Sequence, residues 1–188
     1  SLTALNLDYL DLYLVHWPMA FNRDTPFPKS GSDYQTLTAV PLHKTWAAME
    51  SLKYKGLAKS IGVSNFSCHH LQQLLRQARV PPAVNQVELH PYLTQEKLMA
   101  FALENNIILT AYSPLGSGKK GSTIDESKQR DLLESLAIKT IALKYGVTSA
   151  TILITWAIQR GTAVIPKSTN KGRIAANRSE EHTSELQS

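Results

Sequence analysis

Repeatedly in this chain, a short apolar run stops at a group able to bind a ligand or move a proton. The first run ends in Val15-His16-Trp17-Pro18, an imidazole beside an indole. The next ends in Val63-Ser64-Asn65-Phe66, and the one after it in Asn85-Gln86-Val87-Glu88-Leu89-His90. A further run gives Ala111-Tyr112-Ser113-Pro114-Leu115-Gly116-Ser117, and the last gives Ile165-Pro166-Lys167-Ser168-Thr169. Amides such as Asn65 and Gln86 both donate and accept, so they suit a ligand that carries both kinds of group. Lys167 with Arg173 offers an ammonium and a guanidinium fork, a combination suited to a small anion. Taken singly, each has a plainer reading. His16 could be a packed strand histidine, Trp17 core, Ser64-Asn65 a turn-forming pair and Lys167 a solvated lysine. His69-His70 reads as the solvated first turn of a helix behind Ser67, and Cys68 as a packed or half-exposed thiol. Glu88 and His90 could be imagined as metal ligands, but His90-Pro91-Tyr92 reads as a structural turn.

The runs that position these groups are Tyr9–Val15, Lys59–Val63, Ala83–Val87, Ile107–Ala111 and Ala163–Ile165. Continuous apolar runs of this length suit strands buried on both faces, as in a parallel sheet. Between them lie segments with helical spacing. Leu42, Trp46, Met49 and Leu52 form one stripe; Leu71, Leu74, Leu75 and Ala78 form the next. Leu98, Met99 and Ala102 follow, then Leu132, Leu133, Leu136 and Ile141, then Ile152, Leu153 and Trp156. Ser67 and Thr94 stand where helix N-caps belong, and Gly146 and Gly161 where helices stop. Strand and helix in alternation mean βαβ units, an α/β fold. An open nucleotide-binding sheet would carry G-x-G-x-x-G after its first strand, and no such string occurs. A (β/α)8 TIM barrel takes roughly 250 residues, so this length supplies about five of its eight units. The expected architecture is a partial barrel.

Composition agrees with a globular protein: 43% of residues are hydrophobic and 19% charged. There is no apolar run of about 18 residues to span a membrane. The single cysteine excludes an internal disulfide and fits a reducing compartment. The basic residues are scattered, not gathered into the patch that nucleic acid requires. The chain opens on Ser1 and passes directly into an amphipathic stretch, Leu2 to Leu7. It reads as the interior of a longer protein. Residues 178–188 stand apart, with Leu186 as their one large apolar side chain and no helical or strand period. They resemble the in-frame translation of a sequencing-library adapter. The expected organisation is therefore a barrel domain over 1–177 and a non-native-looking tail over 178–188. Without the tail's one arginine and three glutamates, the formal charge rises from +5 to +7.

Five strings carry a resemblance: LDYLDLYLVHWP, GLAKSIGVSNF, AVNQVELHPYLTQEKL, TAYSPLGS and VIPKSTNKGRIAAN. The chain resembles the aldo-keto reductase superfamily, near the aldose and aldehyde reductase branch. The likeness covers residues 1–177, from the fourth barrel strand to just beyond the eighth. It implies hydride transfer from NADPH to an aldehyde or ketone, with no metal. On that resemblance His16 orients the substrate carbonyl and stabilises the oxyanion that forms, with Trp17 and Phe21 lining the substrate pocket. Ser64, Asn65 and Gln86 would hold the nicotinamide carboxamide, and Tyr112 would stack on its ring. Ser113, Leu115 and Ser117 would lie along the pyrophosphate, with the loop from Gly116 to Ser127 folding over it. Lys167, Ser168 and Arg173 would grip the adenosine 2′-phosphate, and Asn177 the adenine. Two positions depart from the commoner pattern: Ala176 replaces a frequent glutamate near the adenine, and Lys119 replaces an acidic loop residue.

The family's general acid is a tyrosine tuned by a lysine and an aspartate, all from the first three barrel strands. Tyr9, Tyr13 and Tyr34 do not stand in that motif. The resemblance therefore implies a cofactor-binding piece without its proton donor, insoluble or inactive alone, from a cytoplasmic monomer acting on a small-molecule carbonyl substrate. A non-catalytic NADPH-binding relative used in redox sensing or regulation is the alternative.

Overall fold

The computed structural model describes residues 2–22, 33–36, 38–116 and 132–178. The tail expected over 178–188 therefore lies outside the described residues apart from Arg178. The chain divides into two compact units. One comprises Ser1–Gln86 with Lys97–Ile108, the other Val87–Glu96 with Leu109–Ser188.

The first unit is built on parallel strands. β1 (Leu10–Val15) pairs with β4 (Ala58–Ser64), with Leu10 opposite Ala58 and Val15 opposite Val63. β4 in turn pairs with the start of β5 (Val84–Glu88), with Val63 opposite Asn85 and Ser64 opposite Gln86. Gly62 permits that approach. A Cβ there would stand 2.7 Å from Val84 O and 2.8 Å from Leu14 Cδ2, closer than real Cβ atoms come. Two short strands, β2 (Ala20–Phe21) and β3 (Tyr34–Gln35), form an antiparallel pair after β1. A short helix, α1 (Leu2–Leu5), precedes the strands.

Helix α2 (Leu42–Tyr54) buries Trp46, Met49 and Glu50, the spacing of one helical face. Trp46 Nε1 donates to Val80 O at 2.9 Å, and Glu50 Oε1 accepts from the amides of Arg79 and Val80 at 2.7 and 2.9 Å. A buried carboxylate is tolerable there because two loop amides satisfy it.

The structure corrects one expectation about β1. Leu12 and Tyr13 are 39% and 36% exposed, so this strand is not buried on both faces. β1 stands at one end of the strand order, with β4 as its strand neighbour. An apolar run records what a strand is able to bury, not what lies against it.

Helix α3 (Cys68–Leu75) starts as expected at Ser67, in a capping box. Ser67 Oγ accepts from His70 N at 3.3 Å, and His70 Nδ1 accepts from Ser67 N at 3.4 Å. Burial first, then neighbouring His69, hold the His70 imidazole below its ordinary range. Protonating Nδ1 would turn that acceptor into a donor and break half of the box. Folded His70 thus binds a proton less readily than unfolded His70. Its contribution to stability is full above the unfolded value of about 6.5 and declines as pH falls below it. Urea midpoints at about pH 7.5 and about pH 5.5 should show a small loss on the acid side. His70→Gln, which keeps the box without titrating, is expected to flatten that slope.

Helix α4 (Glu96–Glu104) buries Leu98 and Ala102. It begins at Glu96, so Thr94 lies one residue too early to be the cap. Gln95, at a positive φ of 54°, intervenes.

The second unit opens with the end of β5 and the turn that follows it. β6 (Ile108–Tyr112) then pairs in parallel with β7 (Ala163–Val164), with Thr110 opposite Ala163. The stripe expected from Leu132 to Ile141 is broken. Leu132–Glu134 is a 3-10 turn, and α5 (Leu136–Tyr145) starts afresh beyond Ser135, whose ψ of 128° is not helical. Leu132 is buried while Leu136 is 80% exposed, because the break turns them to different faces. Gly146 ends α5 at a left-handed φ of 67°, the geometry a glycine cap supplies. Helix α6 (Ser149–Gln159), capped by Thr148, is the most buried helix of this unit, with Ile152, Leu153, Ile154, Thr155 and Ala157 inside. α7 (Lys171–Asn177) closes the described chain.

Candidate functional site

The first unit brings His16, Ser64, Asn65 and Gln86 together at the C-terminal ends of β1, β4 and β5. β4 stops because Asn65 takes a left-handed φ of 62°, a conformation asparagine tolerates better than most residues. Its backbone N–H donates to Gln86 O at 2.9 Å, and its Nδ2 donates to His16 O at 2.9 Å and to Ser64 Oγ at 3.2 Å. Ser64 Oγ donates to Gln86 O at 2.7 Å. Ser64 and Asn65 therefore lace three strand ends into one rim. The His16 ring and the Gln86 amide make no hydrogen bond among the described residues, which leaves both able to serve a ligand.

His16 is exposed and its ring stacks on Trp17, with centroids 5.8 Å apart at 24°. Trp17 is 38% exposed, too open for the core reading. Phe21 packs edge-on against Tyr34 at 5.4 Å within the β2–β3 pair. Among the described residues, its ring contact is with Tyr34 and not with His16 or Trp17.

One residue that matters here was not singled out from the sequence. Asn85 is fully buried; its Nδ2 donates to Phe66 O at 2.9 Å and its Oδ1 accepts from Phe66 N at 3.3 Å. It fixes the backbone immediately after Ser64-Asn65. The available signal was a polar side chain inside an otherwise apolar run.

The second unit holds two further groups. Tyr112 ends β6, half-buried. Burial, then the Glu88 carboxylate, push its hydroxyl above the ordinary range, opposed by a hydrogen bond from the Glu88 backbone. Next comes a tight turn: Ser113 takes a φ of 48° and Gly116 a φ of 84°, with Gly116 N bonded to Ser113 O at 2.9 Å. Ser113 and Leu115 are half-buried in that turn. Ser117 and Lys119 lie outside the described residues.

Beyond β7, Ser168 Oγ accepts from Arg173 Nε and from Asn170 N, both at 3.2 Å. Asn170 caps α7 by accepting from Arg173 N at 3.0 Å. Ser168, Asn170 and Arg173 thus form one small polar cluster beside exposed Lys167. Neither cation has a carboxylate partner among the described residues. Asn177 sits half-buried at the far end of α7, with no bond to the cluster.

Parallel strands alternating with helices define an α/β protein of the barrel kind. The chain belongs to the Aldo/keto reductase family, whose family model matches residues 1–187. It is 50% identical over 177 residues to an aldo/keto reductase of Synechocystis sp., covering 94% of this chain and 54% of that protein. It is 46% identical over 183 residues to Aldose reductase B of Dictyostelium discoideum, covering 94% of this chain and 56% of the relative. Among solved structures it is similar to an aldo/keto reductase from Brucella melitensis. The TM-score is 0.74 at 37% identity, over 94% of this chain and 56% of that one. The α/β fold and the partial barrel expected from the sequence are thereby borne out. The chain spans about half the length of the relatives it matches.

Proposed function

We propose that this chain carries the cofactor-binding and carbonyl-orienting half of an NADPH-dependent reductase of aldehydes and ketones. Ser64, Asn65 and Gln86 hold the nicotinamide carboxamide, with Tyr112 against the ring. Ser113, Leu115 and Ser117 follow the pyrophosphate. Lys167, Ser168 and Arg173 take the 2′-phosphate, and Asn177 the adenine. Reduced nicotinamide supplies the hydride. His16 donates a hydrogen bond to the substrate carbonyl, whose oxygen gains charge as the hydride arrives, and Trp17 and Phe21 shape the space around it.

The observation that supports NADPH over NADH is Arg173. Its Nε is docked on Ser168 Oγ while the guanidinium has no carboxylate partner among the described residues. A planar cation held in place without a counter-ion suits a phosphate. Family membership supports the carbonyl chemistry. The same reading makes the protein a cytoplasmic monomer whose substrate is a small molecule, not a nucleic acid or a membrane. Among the described residues no single helix is long and apolar enough to cross a membrane.

On this reading Tyr9, Tyr13 and Tyr34 do not stand in the motif of the family's proton donor. A missing general acid costs about 10²–10⁴ in rate. The 188 residues are therefore expected to bind NADPH, read as energy transfer from tryptophan to the nicotinamide, and to leave an aldehyde unreduced. A folded chain that ignores NADPH would overturn the cofactor reading. Rapid aldehyde reduction would overturn the claim about the proton donor.

A further inference from the structure

The strand ladder stops one residue short of His16. β1 and β4 pair as far as Val15 and Val63, and His16 lies beyond the last of these partners. Its carbonyl is held instead by a side chain, with Asn65 Nδ2 donating to His16 O at 2.9 Å. On the far side the segment is fixed by Pro18, which is buried and which confines Trp17 before it to extended backbone. Between these two anchors stand the exposed rings of His16 and Trp17, stacked with centroids 5.8 Å apart. Two exposed rings give up rotamer freedom to stay stacked, so the main chain beneath them has to be fixed for the arrangement to last.

Asn65 is well placed to fix it. Its left-handed φ of 62° turns the chain out of β4, and its N–H is bonded to Gln86 O at 2.9 Å, so the side chain starts from a tethered backbone. The same Nδ2 donates to Ser64 Oγ at 3.2 Å, and Ser64 Oγ donates onward to Gln86 O at 2.7 Å. With two acceptors for its two protons, the amide nitrogen is fully engaged within the protein. A ligand can therefore meet the Asn65 side chain only as a donor to Oδ1, and a carboxamide is such a donor. The amide that would face the cofactor is thus the one that holds the histidine.

We infer that Asn65 is a positioning residue for His16: its amide fixes the main chain under the imidazole and so sets where that ring stands. This rests on the carbonyl-orienting reading of His16 above. The test is the nuclear Overhauser contact between the His16 and Trp17 rings in the isotope-labelled 188-residue chain, with no cofactor present. Asn65→Gly deletes the amide and keeps a residue that takes a positive φ without strain. The contact should be lost in it, while the amides of Tyr13 and Ile61, partners within the β1–β4 ladder, keep their chemical shifts. Ser64→Ala deletes the other acceptor of the same nitrogen and leaves the bond to His16 O in place, so the contact should persist.

Rings that stay stacked in Asn65→Gly, or that separate equally in Ser64→Ala, overturn the inference. If Asn65→Gly fails to fold, Asn65→Asp takes its place. It keeps the shape and the tolerance of a left-handed backbone but sets an acceptor against His16 O, and the same loss is expected. NADPH titration of the parent chain separates the two readings. A parent that ignores NADPH overturns the cofactor reading and leaves the ring measurement to decide this one. A parent that binds NADPH while Asn65→Gly keeps its stack overturns this inference alone.

Discussion

Asn85→Leu is expected to lower the stability of the chain by about 4 kcal/mol, since each buried backbone group left without a partner costs about 1–3 kcal/mol. Asn85 is fully buried and satisfies both the N–H and the carbonyl of Phe66, itself 1% exposed. Leucine has as many side-chain heavy atoms and the same branch point, but offers neither a donor nor an acceptor. A small domain is stable by only about 5–15 kcal/mol, so a large share of the total would go.

The loss should also reach the binding rim. Phe66 follows Ser64 and Asn65, whose bonds to Gln86 O and His16 O join three strand ends. NADPH affinity should therefore fall even under conditions where most molecules remain folded. Urea denaturation with an unchanged m-value measures the first effect, and NADPH titration at low urea the second. A stability loss below about 1 kcal/mol would mean that the backbone of Phe66 finds other partners.

Arg173→Gln should raise the dissociation constant for NADPH about 10- to 100-fold, the value of a hydrogen bond to a charged group, and leave NADH almost untouched. Nicotinamide, pyrophosphate and adenine are common to both cofactors. Only NADPH carries the 2′-phosphate that a guanidinium on Ser168 would meet. Arg173→Lys should recover part of the loss at most, because an ammonium keeps the charge and loses the planar fork. The NADPH preference should shrink as salt rises, since an exposed cation is screened. Equal losses for NADPH and NADH would show that Arg173 supports the fold of α7 and not the phosphate.

The elements were legible because their causes are local. A strand buried in a parallel sheet must be apolar at consecutive positions, and all five runs became strands to within about one residue of their expected ends. Ser67 capped α3 because a hydroxyl three residues ahead of an amide reaches it within one turn. Gly146 ended α5 because a left-handed residue stops a helix. The strings around His16, Asn65, Gln86 and Lys167 carried the family, and the comparisons agree.

What stayed hidden depends on which distant groups meet. The helical stripe through Leu132 and Leu136 could not announce the break at Ser135, since spacing alone does not record a backbone angle. The apolar run of β1 says nothing of what lies against Leu12 and Tyr13. Ser64 and Asn65 read as ligand groups, yet much of their hydrogen bonding holds β1, β4 and β5 together. His90 read as part of a structural turn, and nothing in the spacing told that its ring would be buried against Glu88. Hydrophobic pattern and capping act within a few residues and so are written along the chain. Burial of a polar group is settled by neighbours that only folding brings within about 3 Å, the range at which a hydrogen bond forms.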